Sequence, residues 1–137
     1  MGLKDVLGVC LGVLDVPEGA VSLHSVARNR DEALGVYLRR GGRSRVEVLG
    51  VQDNRAFEVL CVSFLLRWGR DGVRAEEKAR EIYDALVGLS FDGGFVKAVY
   101  DAPVWLGADG RGVFECVLDF DFYWQNEGIP RQARDDI

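Results

Sequence analysis

The sequence predicts an α+β fold: an antiparallel or mixed β-sheet of about four strands with helices packed on one face, plus a projecting β-hairpin. Three observations carry this expectation. The stretch from Val113 to Trp124 alternates without a slip, with Phe114, Cys116, Leu118, Phe120, Phe122 and Trp124 on one face and Glu115, Val117, Asp119, Asp121 and Tyr123 on the other. Phe57 to Trp68 is a second long run, apolar on both faces. Two further stretches place apolar residues at helical spacing.

The elements follow in chain order. Leu3, Val6, Leu7, Cys10, Leu11 and Leu14 predict an amphipathic helix over 3–14, weakened at Gly8 and Gly12, where each glycine costs up to about 1 kcal/mol relative to Ala. Pro17 and Gly19 end that pattern, and the span to Asn29 alternates only weakly through Val21 and Leu23. Ala33 to Arg39 reads as a strand, Val46 to Val51 as a short one ending at the Asp53–Asn54 turn, and Phe57 to Trp68 as a central strand covered on both faces. One cover is a helix from about Arg74 to Leu89, carried by Ala75, Ala79, Ile82, Tyr83, Leu86 and Leu89; the other is the first helix or another subunit. Phe95 to Tyr100 makes a further strand, and Pro103 limits ladder bonding beside it. The run from Gly107 to Gly112 reads as a hairpin turn, because Gly tolerates positive φ and Asp bonds its own backbone. The strand after it would extend about 40 Å at roughly 3.3 Å per residue, so part of that hairpin is expected to project. Residues 1–124 form a single domain in this reading, and 125–137 a polar tail.

With 137 residues, the chain has room for one core and no second domain. A formal charge of −5 argues against general attraction to nucleic acid, and no stretch approaches the length of an apolar membrane span. A chain that stays soluble inside the cell making it is the expectation, and Cys10, Cys61 and Cys116, far apart and odd in number, read as reduced core residues.

Candidate chemistry is sparse. His24 is the single histidine, so any Ser-His or Cys-His dyad would have to use it. Glu115, Asp119 and Asp121 share one strand face and could offer oxygen ligands, but neighbours two apart on a strand lie about 7 Å from each other. A solvated face, or a face forming salt bridges in an assembly, fits them better than a metal site. The glycine run before that strand lacks the Gly-Lys-Ser/Thr signature of a phosphate loop. No catalytic residue, metal or cofactor is expected. The surface residues singled out are Arg39, Arg40, Arg43 and Arg45, which concentrate positive charge in one loop; Asp109 and Arg111 in the turn; Glu115, Asp119 and Asp121; and Trp105, since exposed tryptophans dominate binding hot spots. A small ligand-binding domain or hydrolase is the alternative class, and would need a pocket with convergent polar groups.

Several segments resemble those of the minor capsid and tail terminator proteins of long-tailed bacteriophages. They are the first helix, the Gly41–Gly42 loop, Glu58 to Arg67 (EVLCVSFLLR), Ala79 to Leu86 (AREIYDAL), Ala102 to Glu115 (APVWLGADGRGVFE) and Asp119 to Phe122 (DFDF). The resemblance implies an α+β subunit that forms a ring, a homohexamer, on the end of the tail tube. Such a ring stops tube polymerisation and presents the head–tail joining surface. It also implies the partners: further copies of the chain, the major tail tube protein, and the head connector or head completion protein, with DNA passing through the ring. The site would be the virion's head–tail junction, reached from the host cytoplasm during assembly. Another neck or head-completion role is the nearest alternative.

Overall fold

The computed structural model describes residues 2–39, 45–49 and 55–125, with side chains described outside 45–49 and 55–57. The chain begins with α1 (Leu3–Val13), whose start is secured by the Gly2 N–H donating to Asp5 Oδ2 at 2.8 Å. After a single 3₁₀ turn at Glu18–Ala20 come β1 (Val21–Leu23), β2 (Glu32–Leu38), β3 (Arg45–Leu49) and β4 (Arg55–Trp68). Then follow α2 (Gly72–Leu86), β5 (Ser90–Phe91), β6 (Gly94–Ala98), β7 (Val104–Ala108) and β8 (Phe114–Gln125). α2 starts two residues earlier than the apolar pattern suggests because Asp71 caps it, its carboxylate accepting from the N–H groups of Val73 and Arg74.

The expected α+β class with helices on one face is what the chain adopts, although the sheet is larger than about four strands. Among the described residues, eight strands form one mixed sheet in the order β1-β2-β4-β8-β6-β5, with β3 added to β4 and β7 to β8. β4 and β8 are antiparallel neighbours from Phe57 opposite Gln125 to Arg67 opposite Glu115. Each carries two shorter strands end to end on its outer edge: β2 and β3 along β4, β7 and β6 along β8. β1, β5 and β7 were too short or too irregular to stand out by alternation. β7 is broken by a register shift between Trp105 and Gly107, which interrupts the two-residue period.

The projecting hairpin is corrected by this arrangement. The β7–β8 turn exists where expected, but β8 is paired on both edges for nearly its whole length and is a central strand. Its length is absorbed by two successive partners on one side rather than by extension beyond the core.

Side-chain alternation sorts the sheet into two faces. Leu34, Val36, Leu60, Val62, Phe64, Leu66, Cys116, Leu118, Phe120 and Phe122 lie on one face, and they form a single cluster with Leu3, Val6 and Cys10 of α1 and Ala75, Ala79, Ile82 and Leu86 of α2. Burying a large side chain here contributes about 1.5–3 kcal/mol. Phe120 sits at the centre, fully buried, with Phe64 edge-on at 6.1 Å and Tyr83 of α2 at 5.6 Å. Trp68 belongs to this core, and Trp124 packs at its margin. All three cysteines are buried thiols, as their apolar positions suggested.

The second face of β4 was expected to be covered by α1 or another subunit. Instead α1 shares the α2 side, and the segment after β1 crosses the second face. A Cβ on Gly35 would stand 2.5 Å from the Ser25 carbonyl oxygen and 2.9 Å from the Val26 Cβ, so only glycine lets the crossing chain lie this close. β1 and β2 are parallel, and the crossing between them is this short connection instead of a helix. The polar tail expected from residue 125 lies outside the described residues from 126 onward.

Phe120→Asp should abolish cooperative unfolding, because it buries a charge with no partner. Phe120→Leu, which keeps the site apolar, should retain a cooperative transition at a lower midpoint. Thermal circular dichroism distinguishes the two, and a cooperative melt for the aspartate variant would contradict the central placement of this ring.

Candidate interface and its charged support

The turn joining β7 to β8 is built by local chemistry. Gly112 adopts φ 86°, where residues with a Cβ are strained, and Asp109 Oδ1 accepts from the N–H groups of Arg111 at 2.8 Å and Val113 at 3.0 Å. The other carboxylate oxygen of Asp109 reaches Arg67 Nη1 at 2.8 Å. That same nitrogen donates to Glu115 Oε2 at 2.5 Å, and Glu115 also accepts from Arg28 Nη1 at 3.0 Å. Arg111 Nη1 closes the group by donating to the Arg28 carbonyl at 3.2 Å. Five charged residues from four separate places in the chain are thereby joined at one end of the second face.

Arg67 is the centre of this group and is only 1% exposed. Burial works against its charge, but the hydrogen bonds and charges of Asp109 and Glu115 outweigh it, and its pKa is raised. Asp109 is held well below the usual carboxylate range, first by the Arg67 hydrogen bond and then by the two turn N–H groups. Of the turn residues singled out from the sequence, Asp109 and Glu115 pair with Arg67, while exposed Arg111 bonds the Arg28 carbonyl. The charges of Asp109 and Glu115 are met within the chain. Arg67 was missed as an organising residue, although an arginine inside a strand apolar on both faces was the available signal.

The other acidic residues of β8 are also met within the chain. Asp119 accepts from the Ser63 hydroxyl directly across on β4. Asp121 Oδ1 accepts from Arg39 Nη2 at 2.6 Å, while Arg39 Nη1 donates to the carbonyls of Phe120 at 3.3 Å and Val62 at 3.4 Å. Arg39 is thus half-buried against the sheet and not part of a free basic loop. Arg40 and Arg43 lie outside the described residues; Arg45 pairs in register with Val59, and its side chain lies outside them too.

Trp105 is where a contact surface is expected, and it is exposed. It stands on β7, every residue of which is exposed, with Trp105 at 40% and Leu106 at 57%. Exposed Val99, Tyr100 and Val104 precede or flank it. Exposed Val73 lies in the first turn of α2, and a groove of about 320 Å³ runs between α2 and β7, lined by Gly72, Glu76, Trp105, Gly107 and Phe114. Most of the large exposed apolar side chains among the described residues therefore concentrate at one corner, a pattern typical of contact surfaces. β7 pairs with β8 on one side alone among the described residues.

A second cavity, of about 390 Å³, lies between α2 and the segment after α1, lined in part by Asp15, Glu32, Trp68, Glu77, Lys78 and Glu81. Its lysine is already engaged: Lys78 Nζ donates to the Asp15 carbonyl at 2.5 Å and to Glu81 at 2.7 Å, and lies 5.0 Å over the Trp68 ring. Lys78 therefore fastens α2 to the loop behind α1. His24 is exposed, at φ 61°, with its N–H bonded to the Val36 carbonyl. Among the described residues, no three His, Cys, Asp or Glu side chains are grouped to hold a metal ion, and no helix is long and apolar enough to cross a membrane.

Compared with protein-family models and with curated proteins, the sequence matches none.

Arg67→Met should cost about 2–3 kcal/mol in urea unfolding, somewhat less than a fully buried pair, because Glu115 and Asp109 keep 14% and 21% of their side-chain exposure. Unfolded Asp109 takes up its proton near pH 3.9, whereas the folded residue resists until lower pH. Its stabilisation is therefore complete above that value and is lost as pH falls below it. Asp109→Asn should be less stable than wild type at pH 7, with a gap that narrows between pH 4 and pH 2; a gap independent of pH would mean that Asp109 acts through the turn alone.

Proposed function

We propose that the chain is a structural virion protein of a long-tailed bacteriophage, a tail terminator that acts by assembly. In this reading it caps the tail tube as a ring, a homohexamer, stops tube polymerisation, and offers the surface to which the head connector or head completion protein joins. Its partners are further copies of itself, the major tail tube protein and the head-side neck protein, and DNA passes through the ring at the head–tail junction.

The observation that supports the reading best is the exposed apolar corner of β7 and α2. An edge strand carrying Val104, Trp105 and Leu106 in the open is a liability for a lone subunit and an asset for one that assembles. The residues behind it are rigidly held. β7 is paired with β8, one strand of the longest ladder, and its turn is tied to buried Arg67. A pre-ordered surface of this kind loses little entropy on association. The segments of the phage resemblance, Glu58 to Arg67 and Ala102 to Glu115, are the two that build this corner and its support.

Electron microscopy of lysates from the parent phage carrying an early stop codon in this gene tests the proposal. Overlong tails beside filled, tailless heads are expected, because tube growth would have lost its stop. Tails of normal length beside unjoined heads would assign another neck role, and normal virions would overturn the reading. Trp105→Ala supplied in trans should fold with an unchanged melting transition yet restore fewer than about one tenth of the normal virions, as the loss of a hot-spot contact worth 2 kcal/mol or more would produce.

A further inference from the structure

The two outer strands of the sheet stop at the same height. Across the ladders, Val21 of β1 lies beside Leu34, Leu34 beside Leu66, Leu66 beside Cys116, and Cys116 beside Trp105 of β7. The next row runs from Ser22 through Gly35, Leu65 and Val117 to Val104. β1 and β7 thus end the same two rows at opposite sides of the sheet, and neither has a partner on its outer side among the described residues.

Strand direction makes these ends compatible. β1 is parallel to β2, which is antiparallel to β4; β4 is antiparallel to β8, and β8 to β7. β1 and β7 therefore point in opposite directions. When β1 of one copy is laid beside β7 of another copy in the same orientation, the two meet antiparallel, the more stable form of ladder. The side chains agree with this. Val21 and Leu23 are half-buried on the helix-bearing face, the face that carries Trp105 and the groove beside Gly72 and Phe114. Continuing the sheet would bring apolar side chains to an apolar groove, the usual division in strand addition between main-chain bonding and side-chain pockets.

We propose that a second copy of this chain docks by adding its β1 edge to the β7 edge, continuing the sheet from subunit to subunit. The proposal rests on the ring reading above and specifies which surfaces make the ring. The contact is heterologous, so it leaves a free β1 edge at one end and a free β7 edge at the other until the circle closes. It also keeps the helices of every subunit on the same side of the continued sheet.

The test uses the full chain carrying Ser22→Cys and Val104→Cys together, treated with a short bismaleimide. Its native thiols are buried, and burial pushes Cys10 and Cys116 up to about 12, which keeps them unreactive. A ladder of covalent dimers, trimers and larger species is expected from the double variant, and none from either single variant. Cross-linked dimers from Val104→Cys alone would overturn the proposal in favour of a two-fold β7–β7 contact. Sedimentation of the double variant as an oligomer without cross-links would overturn this docking mode and leave the ring reading standing. Sedimentation as a monomer at every concentration, again without cross-links, would overturn both.

Discussion

The ladder between β4 and β8 carries the structure. These two strands meet from Phe57 opposite Gln125 to Arg67 opposite Glu115, and nearly every other element is placed by one of them. Their outer edges receive β2, β3, β6 and β7; their shared apolar face receives α2 and, beside it, α1. Because the side-chain period is two, a slip of β8 by one residue along β4 would turn its two faces over. Phe120 and Phe122 would turn toward the charged side, and Asp119 and Asp121 would turn into the core. The large energetic difference between those registers makes the register unique.

The second face combines a small apolar cluster of Val59, Cys61, Tyr123 and Phe95 with a set of charged pairs. Arg67, buried in β4, needs anions, and Asp109 and Glu115 supply them from the two ends of the turn that starts β8. Buried ion pairs add little net stability over apolar packing, but they penalise arrangements that leave one partner alone. Here the pairing fixes the direction in which the β7–β8 turn folds, and Arg28 draws in the segment that crosses Gly35. Farther along the face, Arg39 on Asp121 and Ser63 on Asp119 do the same for the end of β2. The acidic stripe of β8 is thus a means of holding strands and loops in place. Among the described residues, β7 carries three large apolar side chains, Val104, Trp105 and Leu106, in the open.

Much of the fold was legible because long alternation survives without tertiary information. β4, β8 and α2 each bury enough apolar side chains at a constant period that no other conformation would hide them, and β2 shows the same over a shorter span. β5 has two residues and β7 contains a bulge, so neither presents a period long enough to read. Trp105 as an exposed aromatic was also legible, from its place beside a proline and a turn. The fate of Glu115, Asp119 and Asp121 was not. Alternation reports which face a residue occupies, whereas its partner is chosen by strands and loops distant in the chain: Arg28 lies 87 residues before Glu115, and Arg39 82 residues before Asp121.

The sequence by itself determined the α+β class, the two long strands, the two helices and their buried faces, since each follows from local periodicity and from the cost of leaving apolar area in water. Tertiary structure alone decided that β8 is central rather than projecting, that the segment after β1 crosses the second face, and that β1 and β7 end the same rows at opposite edges. Those outcomes depend on strand order and pairing, which are set by the summed burial and hydrogen bonding of residues far apart in the chain, and no local pattern encodes that sum.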